Sequence, residues 1–233
     1  MRIIRVTLWW IFVLSIPVLL ISTVVRLEVN FLPFYEYEYD KNNISQVTGF
    51  DSRQLGIITR HLIQYFNGRV ESPQLIVEKN NETLYLFHDH EIVHLEDVKE
   101  VFQAVFLIQY IAMGYFFFYL LINIIFRRKN KLLYFWRGLK SGSTLTVILM
   151  ALLGIGIFVG FHRLFIQFHY LVFGDPQTSP WILDPRTDHL VMMYPLNFWQ
   201  DAAIFGALAI LAISIFLIIF SWLMLLGSRS SKR

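Results

Sequence analysis

VFQAVFLIQYIAMGYFFFYLLINIIF, residues 101–126, holds no charged side chain and no proline. A run of this length and apolarity crosses the ~30 Å hydrocarbon core of a bilayer as a helix, since a helix satisfies its backbone donors and acceptors internally. Three further runs are likewise long, apolar and free of charge: residues 6–25, 141–161 and 202–227. The whole chain of 233 residues is 56% hydrophobic and only 16% charged, too apolar for a domain with a water-facing surface. The sequence therefore predicts a mainly α membrane protein with four transmembrane helices. Arg2 and Arg5 precede the first run as in a signal peptide. That run is long for one and no small-x-small cleavage site follows, so it reads as a retained helix, bent at Pro17.

Charge placement predicts orientation. Arg2, Arg5, Arg127, Arg128, Lys129, Lys131, Arg137, Lys140, Arg229, Lys232 and Arg233 fall in segments that carry no acid. Every Asp and Glu lies in residues 26–100 or 162–201. The positive-inside rule then puts both termini in the cytoplasm. The expected order is a transmembrane helix at 1–26, an extracytoplasmic cap at 27–100, a helix at 101–126 and a basic cytoplasmic loop at 127–140. A helix at 141–161, an extracytoplasmic lid at 162–201, a helix at 202–227 and a basic tail at 228–233 complete it. Basic clusters beside membrane spans fit topology and anionic lipids, not nucleic acid. With no cysteine in the chain, disulfides, thiolate metal sites and cysteine acyl-enzymes are excluded.

All seven histidines (His61, His88, His90, His94, His162, His169 and His189) fall in the two outer pieces, so any active site is expected on the extracytoplasmic side. In the first piece, apolar spacing over 50–66 predicts an amphipathic helix ended at Asn67-Gly68. Residues 74–78 and 83–87 read as a hairpin that must lean on the helix or the membrane surface, giving a small α+β cap. A single helix from His90 to Phe126, roughly 55 Å at 1.5 Å per residue, would lift its first turns above the lipid. The third span should overrun to His169 and stop at Gly174-Asp175-Pro176. Residues 178–198, rich in aromatics and proline, read as an interfacial helical lid.

Four patterns carry possible chemistry, each beside a plainer reading. His90-Glu91-Ile92-Val93-His94 is an H-E-x-x-H, the zinc-peptidase spacing, with His169, Asp184 or Asp188 as third ligand; so short a motif recurs by chance. His94 with Asp97 at i,i+3 puts a carboxylate where it can orient an imidazole, with Lys99 near the same turn; most such pairs are structural. His162 and His169 share a helical face and could equally belong to an aromatic belt. Asp184-Pro185 looks like an N-cap followed by proline at the first helical position. Arg186 and Asp188 remain as groups that could orient a histidine or a lipid headgroup.

The run Glu91-Ile92-Val93-His94-Leu95-Glu96-Asp97-Val98-Lys99 resembles the E-x-x-H-[ML]-x-D-V-K segment of a bacterial integral membrane family that includes the lipoprotein intramolecular transacylase. Leu164 to His169, Trp181 to Leu190 and Tyr194-Pro195 extend the resemblance over nearly the whole chain. It implies two functional histidines, here His94 and His169. Histidine is not required at the positions of His90 and His162, which makes the H-E-x-x-H incidental. It also implies the reaction, transfer of an acyl chain from the sn-2 ester of a diacylated lipoprotein to the α-amine of its lipid-modified cysteine, at the bacterial cytoplasmic membrane.

That chemistry needs a base for the ammonium, a donor for the oxyanion and an acid for the departing alkoxide. The expectation is His94 as base, oriented by Asp97, with His169 as acid or oxyanion donor, or the two exchanged. Lys99, Asp184, Arg186 and Asp188 are the supporting groups, and Trp181 and Tyr194 the substrate contacts. No metal or cofactor is called for; the partners expected are the diacylated lipoprotein and membrane lipids.

Overall fold

A computed structural model describes residues 2–79, 82–125 and 131–230. In chain order the elements are α1 (Arg2–Val29), α2 (Leu32–Lys41), α3 (Ile44–Thr48), α4 (Ser52–Phe66), β1 (Ile76–Lys79), β2 (Glu82–Tyr85), α5 (Asp89–Ile125), α6 (Lys131–Phe173), α7 (His189–Met193) and α8 (Leu196–Ser230). Four of these helices, α1, α5, α6 and α8, are long and apolar enough to cross a membrane. The chain divides into two compact units: Met1–Val25 with Val105–Ile155 and Ile204–Arg233, and Arg26–Ala104 with Gly156–Ala203.

The first unit contains most of the four apolar runs. Phe12 of α1 stacks on Tyr119 of α5, centroids 4.3 Å apart, and lies 5.3 Å from Phe135 of α6. Gly138 and Gly142, four residues apart on α6, let α1 approach closely: a Cβ at Gly142 would stand 2.6 Å from the Cβ of Ile16 and 2.7 Å from the carbonyl of Val13. In lipid no hydrophobic gain drives helices together, so such close backbone packing has to hold them. Leu107, Ile111, Phe117, Leu152, Ile155 and Phe216 face outward, an arrangement that lipid tolerates and water does not. The basic side chains expected at the cytoplasmic loop fall differently from expectation. Helix α6 starts at Lys131, so Arg137 and Lys140 sit on a helix, its glycines serving as packing points instead of breaks. Arg127, Arg128 and Lys129, with Lys232 and Arg233, lie outside the described residues.

The second unit is built on α4. Asp51 accepts the Gln54 backbone N–H at 2.7 Å while the Gln54 side chain accepts that of Asp51 at 3.0 Å, a reciprocal cap that fixes where the helix begins. Gly68, at φ +71°, takes the chain out of it. The inward stripe of Leu55, Ile58, Leu62 and Tyr65 meets Phe50, Leu86, Leu95, Met193 and Phe198 in one core. Antiparallel β1 and β2 pair Ile76 with Tyr85 through Lys79 with Glu82; Asn80 and Asn81 of the turn lie outside the described residues. The hairpin leans on the unit through Gln74, whose amide both accepts from the Phe87 N–H and donates to its carbonyl, and through Gln54, which donates to the Glu78 carbonyl.

Two elements of this unit exceed the expected helix and hairpin. Helix α2 follows Phe31 with proline in its first turn, and α3 is a five-residue helix. The second outer piece is less helical than expected. Helix α6 runs on to Phe173, with non-helical backbone at Gly160 separating its apolar span from its outer end. Residues 174–188 are turns and extended chain, and α7 is only five residues long. Asp184 is not the cap of a helix. It closes a turn in which its carbonyl accepts from the Thr187 and Asp188 amides, and α7 begins after Asp188.

Candidate active site

The two histidines of the family-like segments meet inside the second unit. His94 belongs to the first turns of α5, a stretch rich in acids before the apolar run at Val101; His169 lies beyond Phe161 in the C-terminal part of α6. Their rings stand 6.0 Å apart, centroid to centroid, with 6% and 8% of each residue exposed. Aromatic rings wall them in: Phe173 lies 5.1 Å from His94 and 5.3 Å from His169, Phe165 is 4.2 Å and Trp181 5.2 Å from His169. The Trp181 indole N–H donates to the Gly174 carbonyl at 3.1 Å, which pins the segment after α6 against that helix end.

Burial controls the charge of both rings. It pushes His94 down to about 4, the neighbouring His169 adding to the shift and Asp97 opposing it. His169 is lowered too, by burial, against the Phe165 carbonyl, which favours the protonated form. Both imidazoles are therefore neutral at neutral pH. The Nδ1 of His169 is 2.8 Å from the Phe165 carbonyl oxygen. A carbonyl only accepts, so that nitrogen carries the proton and Nε2 holds the lone pair. The Nδ1 of His94 is buried with no hydrogen-bond partner.

The remaining expected residues scatter. Asp97 does not orient His94: it accepts from the Ser179 hydroxyl, and its influence on the ring is electrostatic only. Lys99 places its Nζ 4.1 Å over the Tyr65 ring. Asp184 and Arg186 pair with each other at 2.7 and 3.0 Å; Arg186 has 85% of its side chain exposed, and the pair lowers Asp184 to about 2. Tyr194 is a core residue, its hydroxyl 3.0 Å from that of Tyr39, which is 2.6 Å from Thr59. Trp181 alone of the two expected substrate contacts borders the histidine pair. His162 is exposed while His169 is buried, so the shared helical face does not make them partners.

Sequence reasoning missed Phe165 and Phe173 as walls, Ser179 as the partner of Asp97, and the work of Glu91. Fully buried, Glu91 accepts the His88 backbone N–H at 2.8 Å with one oxygen and the Leu190 N–H at 2.7 Å with the other. Burial raises its pKa against the pull of those two amides. Its place in the E-x-x-H pattern was the available signal. This clamp also dismantles the H-E-x-x-H. Glu91 is committed to amides, His94 faces His169, and His90 puts Nε2 3.1 Å from Asp188. Asp188 further accepts the Asp184 N–H at 2.8 Å and lies 3.3 Å from His88 Nδ1. Burial raises its pKa, but the Asp184 amide and His90 outweigh that, so it is lowered overall.

Comparison with known proteins bears on the fold and the family. The family model described as lipoprotein intramolecular transacylase Lit matches residues 10–199. The in meso structure of the membrane integral lipoprotein intramolecular transacylase Lit from Bacillus cereus superposes with a TM-score of 0.78 at 23% identity, covering 99% of this chain and 100% of that one. A structure of the same protein with a histidine-to-arginine substitution gives 0.73 at 20% identity, covering 97% and 93%. An uncharacterized protein of Aquifex aeolicus is 30% identical over 122 residues, 52% of this chain. The match spans about half, 50%, of that relative's length. The two histidines that the sequence pattern singles out share one buried pocket, the four-span fold is that of the solved transacylase, and the family model takes in both histidine segments: the chain belongs to the lipoprotein intramolecular transacylase family.

Proposed function

We propose that the protein moves an acyl chain from the sn-2 ester of a diacylated lipoprotein to the free α-amine of that lipoprotein's lipid-modified cysteine. The observation that carries this reading is the pair of buried imidazoles, His94 and His169, 6.0 Å apart and enclosed by aromatic rings. Amine and ester belong to one molecule, so the enzyme has to orient them, not gather them.

The state of each ring assigns its role. His169, with Nδ1–H held by Phe165, offers a bare Nε2 as base. It takes the ammonium proton, the amine nitrogen attacks the sn-2 carbonyl, and a tetrahedral oxyanion forms. The protonated nitrogen of that intermediate surrenders its second proton to the emptied base, the bond from carbonyl carbon to glyceryl oxygen breaks, and the alkoxide leaves protonated. An N–H without a partner costs more to bury than a bare ring nitrogen, so the unpartnered Nδ1 of His94 is the bare one and its Nε2–H is the donor to the oxyanion. This is the second of the two arrangements that the sequence left open, the one in which no Asp97–His94 bond is needed. The ammonium proton is released before attack, and the steps balance without a cofactor.

Charge placement supports cytoplasmic termini, a pocket on the extracytoplasmic side of the bacterial cytoplasmic membrane, and contacts with its lipids. The test is mass spectrometry of the N-terminal lipopeptide of a diacylated lipoprotein after incubation with the purified protein. Unchanged total mass with one acyl chain relocated to the amine is expected; an unaltered lipopeptide overturns the assignment.

A further inference from the structure

A second histidine cluster lies in the same unit, outside the chemistry above. His88 stands just before α5 and His90 within its first turn, with rings stacked 5.6 Å apart at 17°. Asp188, in the segment before α7, is buried and presents one carboxylate oxygen to each: Oδ1 at 3.3 Å from His88 Nδ1 and Oδ2 at 3.1 Å from His90 Nε2. One ligand atom from each of the three residues lies within 4.8 Å of the others. We propose that His88, His90 and Asp188 form a binding site for a divalent transition ion of the zinc type.

The chemistry of the donor set selects the ion. Two imidazoles and one carboxylate suit zinc, nickel, copper or ferrous iron and are a poor set for calcium or magnesium, which prefer oxygen throughout. Bonds of about 2.0–2.1 Å at a tetrahedral centre place neighbouring ligand atoms about 3.3 Å apart. The two observed nitrogen–oxygen distances are near this length, each to its own oxygen of Asp188, and with one atom from each residue the set lies within 4.8 Å. Closure of the remaining gap asks for a shift on the order of 1 Å from two half-exposed side chains.

The surroundings favour a cation over a plain hydrogen-bonded triad. His88 Nδ1 sits between two carboxylates, 3.2 Å from Glu91 and 3.3 Å from Asp188, and a single N–H cannot serve both. The carboxylate of Asp188 is itself fixed, Oδ2 by the Asp184 N–H and Oδ1 by the Thr187 hydroxyl at 3.2 Å, the outer bonding that holds metal ligands in place. The backbone on either side is held as well, because Glu91 takes the amides of His88 and Leu190. Both histidines are exposed and line an open cleft with Gln74, Tyr85 and Thr187. That leaves an ion access and at least one coordination position for water. The bound ion clamps the junction of β2 and α5 to the segment before α7.

The experiment is calorimetric titration of the full chain in detergent with Zn2+ alone, joined to thermal unfolding with and without the ion. One Zn2+ per chain is expected, with a higher melting temperature in its presence, since a ligand of the native state stabilises it by mass action. His88→Gln with His90→Gln should weaken binding roughly 100-fold or more and remove the thermal shift; His61→Gln and His162→Asn, distant in sequence and not in the cluster, should keep both. Each variant's thermal shift is read against its own zinc-free melting temperature, since the substitutions also take imidazole partners from the buried Asp188. The single variants give an independent reading, each lowering affinity alone. Co2+ in place of Zn2+ should give visible d–d absorption in the wild type that disappears with the histidines. Failure of the wild type to saturate, or equal affinity in wild type and double variant, overturns the site. The inference does not rest on the transacylase reading, and its readouts do not depend on activity.

Discussion

One turn of α5 separates His94 from His90, and the two stand in opposite surroundings. His94 packs against His169 among Phe165, Phe173 and Trp181, and among the described residues no carboxylate is bonded to either ring. His90 stands half exposed beside His88, with the buried Asp188 bonded to both and Glu91 close to one. An apolar wall disfavours the charged imidazole; a carboxylate at the mouth of a cleft favours positive charge beside it. The difference teaches that spacing along a helix sets which histidines are neighbours, while the segments that return from far away in sequence decide what each can do.

The sharpest way to break this comparison is to remove the buried pair. His94→Gln or His169→Asn should each lower transacylation by about 10^2–10^4-fold, the range of general acid–base catalysis, while His162→Asn stays at wild-type turnover; lipopeptide mass spectrometry over time reads all three. Retention of activity by both buried-site variants would erase the distinction between the regions.

Acidity gives the next contrast. Burial holds His94 near 4 against an ordinary 6.5, so on acidification the unfolded chain takes up this proton first. Stability is then lost as pH falls from about 6.5 to about 4 and is insensitive to this residue above that window. Melting temperature against pH should fall more steeply across the window in the wild type than in His94→Gln; parallel curves would show that the ring is not held neutral by the fold.

Glu91 lies between the two regions and tests whether they share a frame. In Glu91→Gln one of the two amides faces an NH2 group, and the loss should be about 1–3 kcal/mol, the cost of a buried donor without an acceptor. Thermal unfolding should show it, along with weaker turnover and weaker Zn2+ affinity together; loss of only one would mean that the regions are held independently. The smallest effect is expected at Arg186→Ala. Its only partner among the described contacts is the exposed Asp184, and such pairs add little, so turnover, melting temperature and zinc affinity should all stay at the wild-type values.

The spans were legible because charge-free runs longer than a bilayer have few other uses, and α4 because its apolar residues repeat with the helical period and stop at Asn67-Gly68; its Asp51–Gln54 cap was seen only in the structure. Helix α2 was not. Tyr35, Glu36, Tyr37, Glu38 and Tyr39 alternate with a period of two, which hides a helix held by its contacts; Lys41, for example, pairs with Asp201 of α8. His94 and His169 were found through family resemblance, and the pocket around them was not, since Phe165 and Phe173 read like any aromatic belt. Spacing placed Asp97 beside His94 but carried no word of Ser179, 82 residues on. His88 escaped notice because helical periodicity says nothing of a residue that precedes the helix.

The clamp at Glu91 has a bearing on biosynthesis. Its second partner, Leu190, lies 99 residues further along the chain, beyond both the α5 span and the α6 span. A ribosome adding about 5–20 residues per second delivers those partners seconds apart. During that interval the partner of Glu91 on the far side of α5 and α6 does not yet exist. This unit is therefore completed only after both α5 and α6 have been synthesised, because the segment that supplies Leu190 follows them in the chain.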